Sequence, residues 1–220
     1  MKDFHPVGGG IAARPTDIAF PSLTRIRQVL ADHRPVTAPV SGRKRAAVAM
    51  LLHQRPTGPE MLFIERASDP RDPWSGNLAF PGGRIDPQDA DARAAAERET
   101  REEIGFDLSA AEYLGRLDDI RGAYLPVQIA CFVYLLPQLQ PPTLNEEVET
   151  LFWFPCRELL NPERHGEFSL LWGDRPRSVR GIDLLGPGRP ILWGITYRLV
   201  VQFLVLIGCL GTECLQVIDD

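Results

Sequence analysis

The stretch Phe80-Pro81-Gly82-Gly83, followed by Arg98-Glu99-Thr100-Arg101-Glu102-Glu103-Ile104-Gly105-Phe106, constrains this chain most, because it sets three carboxylates at helical spacing behind a glycine turn. Asp89 to Ile104 is mostly Ala, Arg and Glu with no Gly or Pro, a composition of high helix propensity, and Gly105 supplies a left-handed C-terminal cap. At about 100° per residue, the side chains of Glu99, Glu102 and Glu103 fall within roughly 100° of one another. Followed backward, the same stripe holds Ala92, Ala95 and Ala96, while Arg93, Glu97 and Arg101 take the opposite side. The glutamates are thus expected where a buried face continues.

A run of Glu and Arg on a helix is ordinarily a solvated, salt-bridged surface. Small apolar residues running into the carboxylates, behind adjacent glycines, favour a different reading. Clustered carboxylates repel one another unless a cation offsets them. Hard divalent ions take oxygen ligands and bridge carboxylates to phosphates, so Mg²⁺ or Mn²⁺ is the expected cofactor, with Glu99, Glu102 and Glu103 as its ligands. Pro81 fixes one backbone angle, and Gly82 and Gly83 permit close approach of a substrate to the loop. His5, His33, His53 and His165 have no ligand spacing, which gives a histidine metal centre no support.

Gly83 together with Arg98-Glu99-x-x-Glu102-Glu103-x-Gly105-Phe106 resembles the Nudix box, the loop-helix-loop motif of hydrolases that cleave nucleoside diphosphates linked to another group. Asp89 meets the family's acidic position six residues after the glycine, and Arg98 then comes one residue late. The segment before the box, Arg66-Ala67, Arg71, Gly76 and Phe80-Pro81-Gly82-Gly83, is similar to the motif of the coenzyme A diphosphatases in that family, where the longer box also occurs. Two departures stand out: the spacer Asp72-Pro73-Trp74-Ser75 is one residue longer than usual, and Phe63-Ile64-Glu65 replaces the usual Leu-Leu-Thr. Leu192 to Arg198 also looks like the final helix of this subfamily.

The resemblance implies metal-dependent hydrolysis of a diphosphate linkage, with coenzyme A or an acyl derivative as the expected substrate and ADP-ribose or a dinucleotide as the alternative. A Nudix-like module that senses a nucleotide without cleaving it is a further alternative. Arg98 reads either as a partner orienting the neighbouring glutamates or as a phosphate ligand; the resemblance favours the first. The general base is Glu102, Glu103 or the downstream Glu147, which resembles an acidic position before a late strand in many members. Arg66 and Arg71 are candidate phosphate contacts, and Trp74 offers an aromatic surface to a base.

With 220 residues and 44% hydrophobic content, the chain can bury the core of a single α/β domain. The expected organisation is a flexible leader over 1–20, a catalytic domain over 21–210 and a tail over 211–220. A net charge of −5 argues against a broad nucleic-acid surface. Cys131, Cys156, Cys209 and Cys214 lack zinc-like pairing and sit in apolar surroundings, as expected of reduced thiols in a cytoplasmic protein. Residues 1–20 lack the continuous apolar core of a signal peptide. Ile191 to Leu210 approaches the roughly 20 apolar residues of a membrane span, but Arg198 and Gln202 interrupt it. It therefore reads as a largely buried terminal helix, and an exposed apolar face on it would support a homodimer.

Strands are expected over 45–52, 60–66, 113–118, 127–136, 150–154, 168–172 and 179–184, the first two as a hairpin through 54–59 and the last two as a hairpin around Gly173-Asp174-Arg175-Pro176, and helices over 23–33, 89–104 and near 157–160. Without regular βαβ repetition, this order predicts a mixed-sheet α/β fold, and the resemblance implies the Nudix α/β/α sandwich.

Overall fold

A computed structural model describes residues 20–37, 44–69, 74–122, 126–172 and 175–217. In chain order the elements are α1 (Leu23–Asp32), β1 (Lys44–Arg55), β2 (Gly58–Arg66), β3 (Leu78–Ala79), β4 (Gly82–Arg84), α2 (Ala92–Ile104), β5 (Glu112–Arg116), β6 (Ile120–Arg121), β7 (Val127–Leu136), β8 (Val148–Pro155), β9 (His165–Trp172), β10 (Arg175–Ile182), β11 (Leu192–Trp193), α3 (Gly194–Leu206) and α4 (Glu213–Val217).

Two apolar strands organise the molecule. β1 and β7 pair in parallel from Lys44↔Val127 to His53↔Leu136, and every residue of β7 is buried. Their continuous apolar runs are what a strand covered on both faces requires. Along β1, Ala47, Ala49 and Leu51 enter one core cluster with Ala95 and Ala96 of α2, while Met50 and Leu52 enter another with Ile26 and Leu30 of α1 and Leu199, Val200 and Phe203 of α3. Strand alternation thus sends successive side chains to opposite helical layers. The result is the expected α/β/α sandwich around a mixed sheet, its central path running β3-β2-β1-β7-β5 with antiparallel pairing everywhere except β1 to β7.

The hairpin between β1 and β2 closes tightly, Arg55 opposite Gly58. The second expected hairpin is formed by β9 and β10, and β11 pairs with β10 to complete a separate three-stranded sheet. Several boundaries move. Helix α2 starts at Ala92 rather than Asp89, because Asp91 caps it: its side chain accepts from the Ala94 N–H at 2.8 Å. Gly105 does take the left-handed conformation, with φ 76°. β3 and β4 are too short for a periodicity reading and exist by pairing with β2 and β1.

The C-terminal region divides where one helix was expected: Leu192 and Trp193 pair with β10, and α3 then runs only from Gly194 to Leu206. No helix among the described residues is long and apolar enough to cross a membrane. The segment set apart as a tail carries α4, whose Cys214 is buried in the core against the α3 side. All four cysteines are free and buried.

Candidate active site

Geometry at the site starts from β1. Gly82 pairs with Val48 and Gly83 with Ala47, so the glycine turn is laid against the middle of the sheet. Gly82 has φ +147°, and a Cβ there would fall 2.3 Å from the Ala47 carbonyl oxygen. A Cβ on Gly83 would fall 2.5 Å from the Glu99 carboxylate. Glycine is therefore required at Gly82 by backbone conformation and approach, and at Gly83 it leaves room for the Glu99 carboxylate, which a side chain there would push aside.

Helix α2 brings the glutamates to this turn, but not equally. Its buried residues are Ala95, Ala96, Thr100, Glu103 and Ile104, a stripe centred between Ala96 and Glu103. Glu103 is 2% exposed, Glu99 19% and Glu102 52%. The inward stripe expected to hold all three glutamates thus lies about 60° further round the helix, which leaves Glu102 roughly 120° off its centre. Thr100 takes the buried place because its hydroxyl is satisfied within the helix, donating to the Ala96 carbonyl at 2.7 Å.

Glu103 accepts a hydrogen bond from the Gly82 N–H at 2.9 Å. Burial pushes its carboxyl up to about 7; the Gly82 N–H and Arg66 oppose the rise, and the nearby Glu99 and Glu147 charges add to it. Burial likewise raises Glu99, against the pull of Arg98. These are acids whose charge the protein supports incompletely.

Arg98 organises the outer carboxylates. It donates through Nε to Asp89 Oδ1 at 2.9 Å and through Nη2 to Asp89 Oδ2 at 3.0 Å, a bidentate pair. Through Nη1 it reaches Glu99 and Glu102, each at 3.0 Å, and through Nη2 the Arg84 carbonyl at 3.1 Å. The late position of Arg98 in the sequence is taken up in the turn before α2, where Asp89 accepts from the Asp86 N–H at 2.7 Å. Asp89, which meets the family's acidic spacing, is the anchor of this arginine.

Glu147 enters from the loop before β8, held by backbone contacts: its carbonyl accepts from the Ala67 N–H at 2.9 Å and its N–H donates to Asn145 Oδ1 at 2.9 Å. Its side chain lies 3.7 Å from Arg66 Nη2, and Arg66 Nη1 lies 3.6 Å from Glu103. Arg66, Trp74, Gly82, Gly83, Glu99, Glu103 and Glu147 all line one cleft of about 1040 Å³; Glu102 is not among its lining residues. Arg71 lies outside the described residues. The cleft's other wall comes from far along the chain and was not found by sequence reasoning: Arg180 of β10, Trp193 of β11, and Thr196 and Tyr197 of α3. Trp193 fastens that wall to the site by donating from Nε1 to Asn77 Oδ1 at 3.0 Å.

Oxygen donors dominate the acidic end, and no histidine or cysteine lines the cleft among the described residues. A buried carboxyl raised to about 7 beside two further carboxylates, and a glycine cradle that a Cβ would fill, fit a hard divalent cation. As placed, however, no three Asp, Glu, His or Cys side chains among the described residues stand close enough to hold an ion together. The expected convergence of Glu99, Glu102 and Glu103 is therefore not preformed. Arg98 draws Glu99 and Glu102 outward, and Arg66 stands beside Glu103 and Glu147.

Comparison with known proteins agrees with this architecture. A family model described as NUDIX domain matches residues 43–171. A probable nudix hydrolase of Schizosaccharomyces pombe is 29% identical over 203 residues, covering 90% of this chain and 69% of that protein. The mitochondrial coenzyme A diphosphatase NUDT8 of Homo sapiens is 31% identical over 193 residues, covering 86% of this chain and 78% of that protein. Among solved structures, a MutT/nudix family protein from Enterococcus faecalis superposes with a TM-score of 0.50 at 16% identity, over 86% of this chain and 75% of that one. A box helix on a glycine cradle, a mixed sheet between helical layers, and a family match across more than half of the sequence lead to one assignment: the chain belongs to the Nudix hydrolase family.

Proposed function

We propose that the protein hydrolyses the diphosphate linkage of coenzyme A or an acyl-coenzyme A, releasing phosphopantetheine and adenosine 3',5'-bisphosphate, with Mg²⁺ or Mn²⁺ held by the α2 carboxylates. One observation carries the reaction class: a single cleft is lined by the buried Glu103, the glycine turn, Glu147 and Arg66, and also by Arg180 and the aromatic surfaces of Trp74 and Trp193. The coenzyme A assignment draws its support from the pre-box motif and from the 31% identity to the human relative named as a coenzyme A diphosphatase.

Glu99 and Glu103 are the inner metal-holding residues, and Glu102 adjoins them on the same helix. A divalent cation held by these carboxylates would supply charge to neutralise phosphate oxygens and would lower the pKa of water. Arg98, anchored by Asp89, orients Glu99 and Glu102. Glu103 is committed to the Gly82 N–H, whereas Glu147 sits on an exposed loop with a path to bulk solvent. We therefore assign proton removal from water to Glu147. Trp74 and Trp193 offer planar apolar surface to a base, and Arg66 offers its guanidinium to the diphosphate.

The test is turnover of coenzyme A, ADP-ribose and NADH side by side with Mg²⁺ or Mn²⁺. Preferential cleavage of coenzyme A is expected. Efficient cleavage of ADP-ribose or NADH with coenzyme A untouched removes the substrate assignment; no cleavage of any of them, with nucleotide binding intact, points instead to a sensing module.

A further inference from the structure

We infer that Arg66 is a positioning residue that takes the cation's place in the metal-free protein, pairing with Glu103 and Glu147 until a divalent ion displaces it toward the substrate; this rests on the metal-dependent reading above. Along β2, Leu62 and Ile64 point into the α2-side core cluster, and Arg66 follows two residues later, beside a register shift at Glu65/Arg66. Side-chain alternation and the irregularity together aim Arg66 at the C-terminal end of α2.

The backbone around Arg66 is fixed without help from its side chain. Its N–H donates to the Asn77 carbonyl at 3.0 Å, its carbonyl accepts from the Gly76 N–H at 3.1 Å, and the Ala67 N–H holds Glu147 at 2.9 Å. The loop bearing Glu147 is therefore attached through the main chain. The guanidinium, 22% exposed, lies 3.6 Å from Glu103 and 3.7 Å from Glu147. Charge-assisted hydrogen bonds close to roughly 2.7–2.9 Å, so these two contacts are Coulombic rather than hydrogen-bonded. One positive charge shared at that range offsets two carboxylates poorly.

A divalent ion binds carboxylate oxygen at about 2.0–2.1 Å and carries twice the charge, which favours it over the guanidinium for the Glu103 oxygens. Its entry frees Glu147 from the arginine and leaves Arg66 in the cleft it already lines, where diphosphate oxygens become its partners. Metal entry then readies the base and the phosphate contact in one event, and the metal-free state keeps both engaged with each other.

The experiment is Mn²⁺ binding to metal-free protein, followed by calorimetry, with thermal unfolding in parallel, for wild type, Arg66→Met, Arg66→Lys and, as a control, the cleft residue Arg84→Met. Arg66→Met is expected to lower the Mn²⁺ dissociation constant about fivefold or more, with Arg66→Lys intermediate and Arg84→Met changed by less than about twofold. Arg66→Met should also unfold at a lower temperature without metal yet gain more from Mn²⁺ than wild type does. Unchanged or weakened Mn²⁺ binding in both Arg66 variants overturns the inference, as does an equal gain in Arg84→Met. Wild-type protein that binds no Mn²⁺ overturns the metal reading itself, and this inference with it.

Discussion

Individual residues carry the chemistry through how far each is removed from water. Glu103 is held nearly dry, with one N–H at hydrogen-bond distance and the Arg66 guanidinium 3.6 Å away, so its charge costs stability when no cation is present. Glu103→Gln keeps the shape and an acceptor for Gly82. We expect that variant to unfold at the same or a higher temperature than wild type in metal-free buffer, to lose the thermal shift produced by Mg²⁺, and to lose activity by more than about 100-fold. A destabilised metal-free variant would show that the carboxylate is already well compensated. Asp89 acts one step further out: Arg98 holds its carboxyl well below the usual range, and Asp89 in turn fixes the guanidinium that aligns Glu99 and Glu102. Asp89→Asn should lower kcat about tenfold with a smaller change in KM, measured by steady-state hydrolysis. An unaltered kcat would leave Asp89 a purely structural group.

At the scale of elements, the site depends on docking one unit against another. Trp193 of β11 is tied to Asn77 in the loop after β2, and Arg189, just before β11, to Glu65 of β2 itself, both across more than a hundred residues of chain. Trp193→Phe removes the first tie while keeping the ring, and should cost about 1 kcal/mol in urea unfolding while raising KM more than it lowers kcat. A change confined to kcat would place Trp193 in the chemistry instead. The start of β9 carries a pH-sensitive point: His165 is half-buried, its Nε2 donating to the Leu159 carbonyl at 2.8 Å, and burial lowers its pKa from the ordinary 6.5. The unfolded chain therefore takes up the proton first as pH falls, so stability is lost on acidification through 6.5 toward the lower folded value. His165→Gln should show a smaller loss of urea midpoint between about pH 7 and pH 5 than wild type. Equal slopes would mean the imidazole titrates alike in both states.

Across the whole molecule, the C-terminal helix is a structural necessity before it is a cleft wall. Leu199, Val200, Val201, Phe203 and Leu204 are buried in the cluster that also holds Met50, Leu52, Cys131 and Val133 of the central strands. Deleting residues 191–217 uncovers the part of that sheet face that α1 does not cover, and the truncated chain should bind a hydrophobic dye and lose its cooperative unfolding transition. A cooperative, dye-silent truncation would show that α1 alone closes this layer. The central strands, α2 with its Gly105 cap, the β1–β2 hairpin and the apolar C-terminal segment were all legible in the sequence, because propensity, alternation and turn chemistry act over a few residues. The glycine turn and the acids of the box were legible for the same reason. Which glutamate is buried was not: Thr100 satisfies itself within the helix and shifts the inward face past Glu102. Nor was the pairing of Arg66 with Glu103 and Glu147, or the wall supplied by Arg180 and Trp193. Local pattern determined the elements and the kind of chemistry they carry; only packing across the sheet, which sets distance and solvent access between residues remote in sequence, decided which charges face each other.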